Sequence, residues 1–211
     1  HKDLDTVRDR LVAESDRSQR EGDPDEVMVI AEVDFILLKG LNSRYGNNVV
    51  DAQILRPLGA QLRQHFRSHD IRCRLGGDEL TLIITRVKAN QVLKVLEHIR
   101  LVVEECKFGN DITPGDVKVR IGAAVFQKED LAAMNTTDST NFVSELRHNA
   151  LLAAEEVKRR MTSGDSNPIA LWDAGMTANQ EIAWEVMADR ITRANAAVIA
   201  ELHKKFGPAT S

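Results

Sequence analysis

Two kinds of apolar pattern alternate along the first part of the chain. Residues 3–20 carry many charges and place apolar residues three and four positions apart, which predicts an amphipathic helix. Residues 27–35 are apolar almost without interruption, a pattern typical of a buried central strand, and they include Asp34 near their end. An acid at the C-terminal end of a central strand lies at the mouth of an α/β sheet, where ligands bind. Asp34 is therefore a candidate site residue, with a solvated strand end as the alternative.

Helical spacing of apolar residues predicts three further helices, over residues 49–66, 90–106 and 140–161. Pro57, inside the first of them, lacks a backbone N–H and is expected to kink that helix. Residues 37–41 are expected to form one short helical turn. Residues 42–48 are rich in turn-forming residues and are expected to form a loop. Further strands are expected over residues 117–126 and 169–172.

A tight hairpin is predicted where two apolar runs, residues 71–75 and 80–84, flank Gly76-Gly77-Asp78-Glu79. Glycine accepts positive φ and lets another backbone or a phosphate approach closely. The two acids that follow are adjacent, and adjacent side chains on a strand face opposite ways, so they are not expected to serve one site equally. Taken alone, the tetrapeptide is also compatible with an exposed turn that carries solvated acids.

Residues 173–211 carry a helical pattern of their own. Thr177 and Gln180 fit a capping box, and a stripe of apolar residues from Trp184 to Leu202 follows at three- and four-residue spacing. The stripe either packs against its own domain or pairs with a partner helix in a dimer, and both interpretations stay open. The chain is therefore expected to comprise a domain over residues 1–172 and an amphipathic helical extension over residues 173–211.

Composition narrows the class of protein. The 211 residues, with 43% hydrophobic content and a net charge of −4, are enough for one good-sized core and an appendage. The mild acidity argues against a general nucleic-acid binder, and no apolar run approaches the roughly 20 residues of a membrane span. Cys73 and Cys106 show no metal-ligand spacing. A reducing, cytoplasmic setting is expected, and the missing initiator Met suggests a fragment of a longer protein.

Five segments match, in order, the patterns of one known family. They are residues 4–10 on D-x-L-T-G-L-x-N-R, residues 34–42 on D-[IL]-D-x-F-K-x-[IL]-N, residues 45–51 on Y/F-G-H-x-x-G-D, residues 74–80 on the Gly-Gly-Asp-Glu signature (with Leu80 where Phe is usual), and residues 119–124 on V-S-I-G-V-A. Through them the chain resembles the GGDEF domain, the diguanylate cyclase family. That resemblance implies an α/β fold with a central, mostly antiparallel sheet covered by helices.

Some positions depart from the family patterns. Ile36 stands where a second Asp is usual, and Val50 replaces the Gly before Asp51. Thr162 stands where a cation is expected four residues after Lys158. These departures bear on the turnover rate more than on the fold.

The resemblance implies a metal site at the hairpin. Asp34 and Asp78 would hold two Mg²⁺ (or Mn²⁺) ions, helped by the backbone carbonyl of Phe35. Mg²⁺ suits such a site because it takes few carboxylates and completes its shell with phosphate and water. The metals would polarise the α-phosphate of GTP and activate the attacking 3′-hydroxyl. Glu79 is assigned a metal-supporting or proton-handling role.

The resemblance also implies how GTP would bind. The triphosphate would lie against Gly76-Gly77, where no Cβ intervenes, and Lys39 and Lys158 would contact the β- and γ-phosphates as point charges. Asn42 and Asp51 would read the guanine edge. A carboxylate that accepts hydrogen bonds from guanine N1–H and N2–H₂ selects guanine over adenine, which offers no such donor pair.

A second site is implied by Arg67-Ser68-His69-Asp70, an R-x-x-D pattern at the offset where the family carries its product-inhibition site. Arg67 would recognise guanine or phosphate bidentately, with Asp70 completing the site. The bare pattern is common, and a surface ion pair is the alternative.

The function implied by the resemblance is that of a diguanylate cyclase, which condenses two GTP into cyclic di-GMP and two pyrophosphates. One domain binds one GTP, so catalysis would need a homodimer. An upstream sensory or dimerising domain is expected to be missing from this fragment, and no DNA or membrane contact is expected from the segment. The alternative is a catalytically weak or inactive domain that binds cyclic di-GMP or GTP as a regulatory module.

Overall fold

The computed structural model describes residues 4–23, 25–36, 38–74, 79–106, 108–109, 117–127, 130, 139–164 and 166–172. Residues 75–78 of the predicted hairpin turn and the predicted helix beyond residue 173 lie outside the described residues. The proposed extension over residues 173–211 therefore stays a prediction.

Five strands form one sheet, in the spatial order β2-β3-β1-β4-β5. The strands are β1 (Glu26–Ile36), β2 (Ile71–Arg74), β3 (Glu79–Lys88), β4 (Lys118–Gln127) and β5 (Ile169–Leu171). Neighbouring strands run antiparallel except β4 and β5, which are parallel. The predicted mostly antiparallel sheet is confirmed, with β1, the longest of the five strands, at its centre.

Six α-helices surround the sheet in the part of the chain that the structure describes. They are α1 (Leu4–Glu21), α2 (Leu38–Tyr45), α3 (Asn47–Val50), α4 (Arg56–His65), α5 (Val92–Glu104) and α6 (Ser139–Thr162). A 3₁₀ turn, Ala89–Gln91, leads into α5. The helices predicted over residues 3–20, 90–106 and 140–161 are confirmed to within three residues at each end.

The loop predicted over residues 42–48 is wrong, because α2 continues to Tyr45 and α3 begins at Asn47. Packing explains the difference. Leu38 is buried, and Leu41 and Tyr45 pack against the same core at helical spacing. Gly46 alone separates the two helices, with a φ of 84° that a residue with a Cβ rarely adopts. The turn-forming residues here mark a helix junction.

Pro57 is accommodated by an unusual helical turn. A π-helical turn, Asp51–Leu55, lies between α3 and α4, and Pro57 stands at the start of α4. Proline has no N–H for the carbonyl four residues earlier, and that carbonyl O of Gln53 instead accepts a hydrogen bond from the backbone N–H of Gly109 at 3.2 Å. The helix predicted over residues 49–66 is therefore present, and the irregularity expected at Pro57 takes the form of a π turn before it.

The two faces of the sheet carry two cores. On one face, Val29 and Val33 of β1 pack with residues of α2–α5. On the other, Met28 and Ile30 pack with Leu11 of α1 and with apolar residues of α6. Successive residues of a strand alternate between faces. By the same alternation, Glu32 and Asp34 lie on the face that α6 covers. Charged side chains follow the apolar core on that face.

Candidate active site

A cleft of about 480 Å³ opens beside the end of β1. Its walls come from β1, α2, β4 and α6. Four residues to which the sequence assigned roles line it: Asp34, Phe35, Lys39 and Lys158. Three further charged residues, with no role assigned from sequence, also line it: Glu32, Arg120 and Glu155. The structure therefore brings the predicted β1 acid and both predicted phosphate-binding lysines into one cleft.

The close approach of α6 to the sheet forms one wall of this cleft. Gly122 of β4 lies under α6, and a Cβ at that position would be 2.0 Å from the backbone N of Ala154 and 2.5 Å from the carbonyl O of Ala150. Such distances exclude any side chain at Gly122 unless the helix moves away. The missing side chain at Gly122 therefore lets α6, the helix that bears Lys158, pack close to the strands.

Asp34 is ion-paired with Arg120 on the neighbouring strand. The two residues are direct partners in the β1–β4 register, and Nη2 of Arg120 donates to Oδ2 of Asp34. The Asp34 side chain is 28% exposed and the Arg120 side chain 17%. Nε of Arg120 is buried and has no hydrogen-bond partner among the described residues. This contact was not predicted, and its signal in the sequence was an arginine between Val119 and Ile121 of a strand.

A buried ion pair lies next to Asp34. Glu32 is 2% exposed, its Oε1 accepts a hydrogen bond from Nε of Arg147 at 2.7 Å, and the Thr81 hydroxyl donates to the same oxygen at 2.7 Å. Thr81 is the register partner of Glu32 on β3, whereas Arg147 comes from α6. Burying a carboxylate is costly unless it is paired and hydrogen-bonded, and both conditions are met. The pair ties α6 to the central strand.

The two predicted phosphate-binding lysines come from different helices, Lys39 from α2 and Lys158 from α6. Lys39 is exposed. Nζ of Lys158 lies 3.5 Å from Oε1 of Glu155, with side-chain exposures of 52% and 72%. An exposed pair of this kind contributes little because water screens it. Both ammonium groups are therefore accessible to an anion in the cleft, although Glu155 places a negative charge beside one of them.

The residues predicted to read guanine are not among those that line the cleft within the described part of the chain. Asn42 lies in the last turn of α2 and Asp51 at the start of the π turn. Oδ2 of Asp51 is 3.5 Å from Nε of Arg56, and the Asp51 side chain is 42% exposed. Asn42 follows Lys39 within α2, whereas Asp51 lies beyond the Gly46 junction, after α3.

The predicted signature turn is described in part. Gly76, Gly77 and Asp78 lie outside the described residues, and the description resumes at Glu79, the first residue of β3. Glu79 is the register partner of Asp34 in the β1–β3 pair. The chain therefore enters β3 directly beside Asp34. The roles assigned to the four signature residues stay predictions.

The R-x-x-D residues border a second cavity of about 260 Å³. Asp70 is 3% exposed and accepts hydrogen bonds from the backbone N–H of Arg67 at 2.9 Å and of Thr85 at 3.3 Å. It therefore holds its own turn against β3. Arg67, Arg86 and Lys94 also line the cavity, so its charged lining has three cations against the one acid.

Arg86 is held in a strained conformation beside this cavity. Its φ is 59°, in the left-handed region, at a β-bulge where the β1–β3 register shifts between Val27 and Val29. Its guanidinium donates two hydrogen bonds to Glu14 of α1, at 2.9 and 3.0 Å. Burial alone would raise the pKa of Glu14, but hydrogen bonds from Arg86 and Arg17 outweigh it and the pKa lies below its usual range. The pair fixes α1 to the bulge.

The described residues contain no group of three or more His, Cys, Asp or Glu side chains that could hold a metal ion by themselves. Asp34 supplies a partly exposed carboxylate in the cleft, the kind of hard oxygen ligand that Mg²⁺ prefers. The donor chemistry thus fits a divalent ion that takes most of its shell from other sources.

None of the helices in the described ranges is long and apolar enough to span a bilayer.

Comparisons with known proteins agree on one family. The family model described as "Diguanylate cyclase, GGDEF domain" matches residues 7–159. Diguanylate cyclase DosC from Escherichia coli (strain K12) is 34% identical over 127 residues, which cover 58% of this chain and 25% of DosC. This chain therefore corresponds to about a quarter of that relative.

Solved structures show the same fold. Diguanylate cyclase SiaD from Pseudomonas aeruginosa, solved with its activator SiaC, aligns with a TM-score of 0.57 and 22% identity, covering 79% of this chain and 56% of SiaD. The GGDEF domain of DgcB from Caulobacter crescentus, solved in complex with c-di-GMP, aligns with a TM-score of 0.54 and 19% identity, covering 80% of this chain and 87% of that one. At these identities the likeness establishes the architecture.

Proposed function

The chain belongs to the GGDEF family and is homologous to diguanylate cyclases, and from this premise we propose that it is a diguanylate cyclase domain. It condenses two GTP molecules into cyclic di-GMP and releases two pyrophosphates. The observation that carries the proposal is the cleft at the end of β1, where Asp34 lies beside the first residue of β3 and Lys39 and Lys158 lie in the walls. An acid beside two accessible cations suits a metal-bound triphosphate.

The metal ligands in this proposal are Asp34, Asp78 and the backbone carbonyl of Phe35, which hold two Mg²⁺ or Mn²⁺ ions. The position of Asp34 in the cleft and its hard oxygen donors support the assignment. A divalent ion bound there supplies charge that polarises the α-phosphate and lowers the pKa of the attacking 3′-hydroxyl. Glu79 supports the metal site or handles the proton.

The remaining residues bind and orient GTP. Lys39 and Lys158 neutralise the β- and γ-phosphates, and Gly76-Gly77 lets the triphosphate approach the backbone. Asn42 and Asp51 hydrogen-bond the guanine edge. The position of Asn42 on α2, the helix that carries Lys39, supports a nucleotide that reaches from the cleft along α2.

The reaction requires two copies of the domain. Each copy binds one GTP and presents its 3′-hydroxyl to the α-phosphate held by the other, so bringing the copies together supplies the proximity that catalysis needs. In this proposal, a sensory or dimerising domain upstream, or the helix predicted from sequence between residues 173 and 211, controls this association.

A second part of the proposal is product inhibition at Arg67 and Asp70. The cationic cavity that both residues border supports it, because cyclic di-GMP carries two phosphates. Asp70 accepts hydrogen bonds from backbone N–H groups of the protein, so the exposed Arg67 is the principal contact for cyclic di-GMP in this proposal.

A regulatory module that binds GTP or cyclic di-GMP without turnover is the second candidate function. Two observations favour it: Arg120 is paired with Asp34, and Glu155 places a carboxylate beside Lys158. The first contact occupies the carboxylate that the proposed metal site needs, and the second offsets part of the charge that Lys158 offers to a triphosphate.

Product formation tests the proposal. The purified chain is incubated with GTP and Mg²⁺ at low and high protein concentration, and the nucleotides are separated by chromatography. Cyclic di-GMP that appears with a steep dependence on protein concentration supports the dimeric cyclase. Asp78→Ala should abolish it, whereas Asp16→Ala, which removes an exposed acid on α1, should not. No product, with cyclic di-GMP still bound and Arg67→Ala abolishing that binding, identifies the regulatory module instead.

A further inference from the structure

Arg120 occupies the carboxylate to which the proposed function assigns a metal. The β1–β4 register places the two residues opposite each other on neighbouring strands, so the contact is built into the sheet. The guanidinium donates to Oδ2 of Asp34, and both side chains line the same cleft. The family pattern that resembles residues 119–124 has a serine at this position, so the arginine is a feature of this chain.

A guanidinium and a divalent ion oppose each other at one carboxylate, because both are cations that draw on the same negative charge. Charge-assisted hydrogen bonds to a carboxylate are among the stronger contacts in proteins, so a metal ion at Asp34 has to displace this one or share the carboxylate with a like charge. The exchange is feasible because the anchoring of Arg120 is incomplete. Its Nε is buried without a hydrogen-bond partner among the described residues, and the open cleft gives the side chain room to leave.

The neighbouring charges favour retention of Arg120 at Asp34 until an ion arrives. Glu32, the nearest acid on β1, is already neutralised by Arg147. Lys39 and Lys158, the other cations of the cleft, come from helices, whereas Arg120 comes from the strand next to Asp34. Arg120 is therefore the cation that the fold assigns to this carboxylate.

We propose that Arg120 is a built-in competitor of the divalent cation at Asp34, which raises the metal concentration at which the domain becomes loaded. This inference rests on the proposed function, because it takes Asp34 as a metal ligand. It adds a residue that controls metal occupancy without binding the metal.

Direct measurement of Mn²⁺ binding tests the inference without any turnover. Free Mn²⁺ is followed by electron paramagnetic resonance during titration of the whole chain, without nucleotide. Arg120→Ser should tighten binding by about ten- to a hundredfold, the factor expected when a hydrogen bond between charged groups no longer has to be broken. Asp34→Asn should remove the tightened site in the Arg120→Ser background.

The matched control is Arg100→Ser. Arg100 is also ion-paired, with Glu97 and Glu104 on α5, and its removal changes the net charge by the same amount away from the cleft. It should leave the Mn²⁺ affinity unchanged. Arg120→Lys keeps a cation at the site and should stay close to wild type, and Arg120→Gln serves in place of Arg120→Ser if the serine variant does not fold.

Equal Mn²⁺ affinity in wild type and in the folded serine or glutamine variant overturns the inference, and so does equal tightening by Arg100→Ser. These outcomes are separable from failure of the proposed function. Tighter Mn²⁺ binding by the Arg120 variant, with no cyclic di-GMP formed from GTP, supports the role of Arg120 and contradicts the proposed cyclase function. Cyclic di-GMP formation, with Mn²⁺ affinity unchanged in the Arg120 variant, supports the cyclase function and contradicts the role of Arg120.

Discussion

Removal of Arg147 should destabilise the domain strongly, because it leaves Glu32 buried without its counter-ion. The Glu32 side chain is 3% exposed and that of Arg147 22%. Breaking a buried ion pair from one side costs roughly 3–5 kcal/mol. The Thr81 hydroxyl still donates to Glu32 in Arg147→Ala, and Arg147 is partly solvated, so we expect the lower end, about 3 kcal/mol of unfolding free energy. For a domain of this size that corresponds to a fall in Tm of roughly 6–12 °C.

Urea denaturation followed by circular dichroism measures this loss. The matched control is Arg159→Ala on the same helix, where Arg159 pairs with Glu156 at 2.8 Å but is 57% exposed; it should cost under about 1 kcal/mol. Replacing both partners by apolar residues, Glu32→Leu with Arg147→Met, should recover most of the loss because no buried charge remains.

Two results would contradict this account of Glu32. One is a cost for Arg147→Ala no larger than that of Arg159→Ala. The other is a double replacement no more stable than the single one, which would mean that Arg147 stabilises the domain through packing of its aliphatic stem.

Three further measurements check other parts of the structure. Gly122→Ala should cost about 3 kcal/mol and weaken GTP binding, because the new Cβ pushes the backbone at Ala154 away from the sheet; a variant with wild-type stability in urea would contradict this. The pKa of Glu14 is lowered in the folded protein, and this contributes stability above the ordinary pKa of 4.5 that is lost as the pH falls through the folded-state pKa. Glu14→Gln should therefore lose less stability than wild type in acid unfolding curves below pH 4.5, and parallel curves would refute this. Burial raises the pKa of the Cys106 thiol, so its alkylation at pH 7 should be slow until urea unfolds the chain; rapid labelling of the native protein would count against the packing.

The strands were predictable because their apolar runs follow directly from burial. The run over residues 27–35 became β1, and the run after the signature turn became β3, which continues to Lys88. The helical character of residues 42–48 was not predictable in the same way. Asn, Ser and Gly favour turns locally, and tertiary contacts of Leu41 and Tyr45 with the core outweigh that preference.

Which residues share the cleft could be predicted in part. Asp34 was singled out by its strand position, and Lys39 and Lys158 by the family resemblance; all three line the cleft, and their roles stay predictions. The partners Arg120 and Arg147 were missed, because they are 86 and 115 residues away from the acids that they contact. The available signal was a charged residue within an apolar strand, which requires a counter-ion whose identity the sequence does not give.

The π turn over Asp51–Leu55 sets how far α3 is rotated about the helix axis relative to α4. Each residue of an α-helix adds about 100° of rotation, so the additional residue in a π turn rephases α3 relative to α4 by about that amount. Deletion of one residue there would turn α3 about the helix axis and move Val50, which is 1% exposed, out of the core, while Leu58 and Leu62 keep their places. The additional residue is therefore what lets Val50 and Leu58 face the same core from the two sides of the turn.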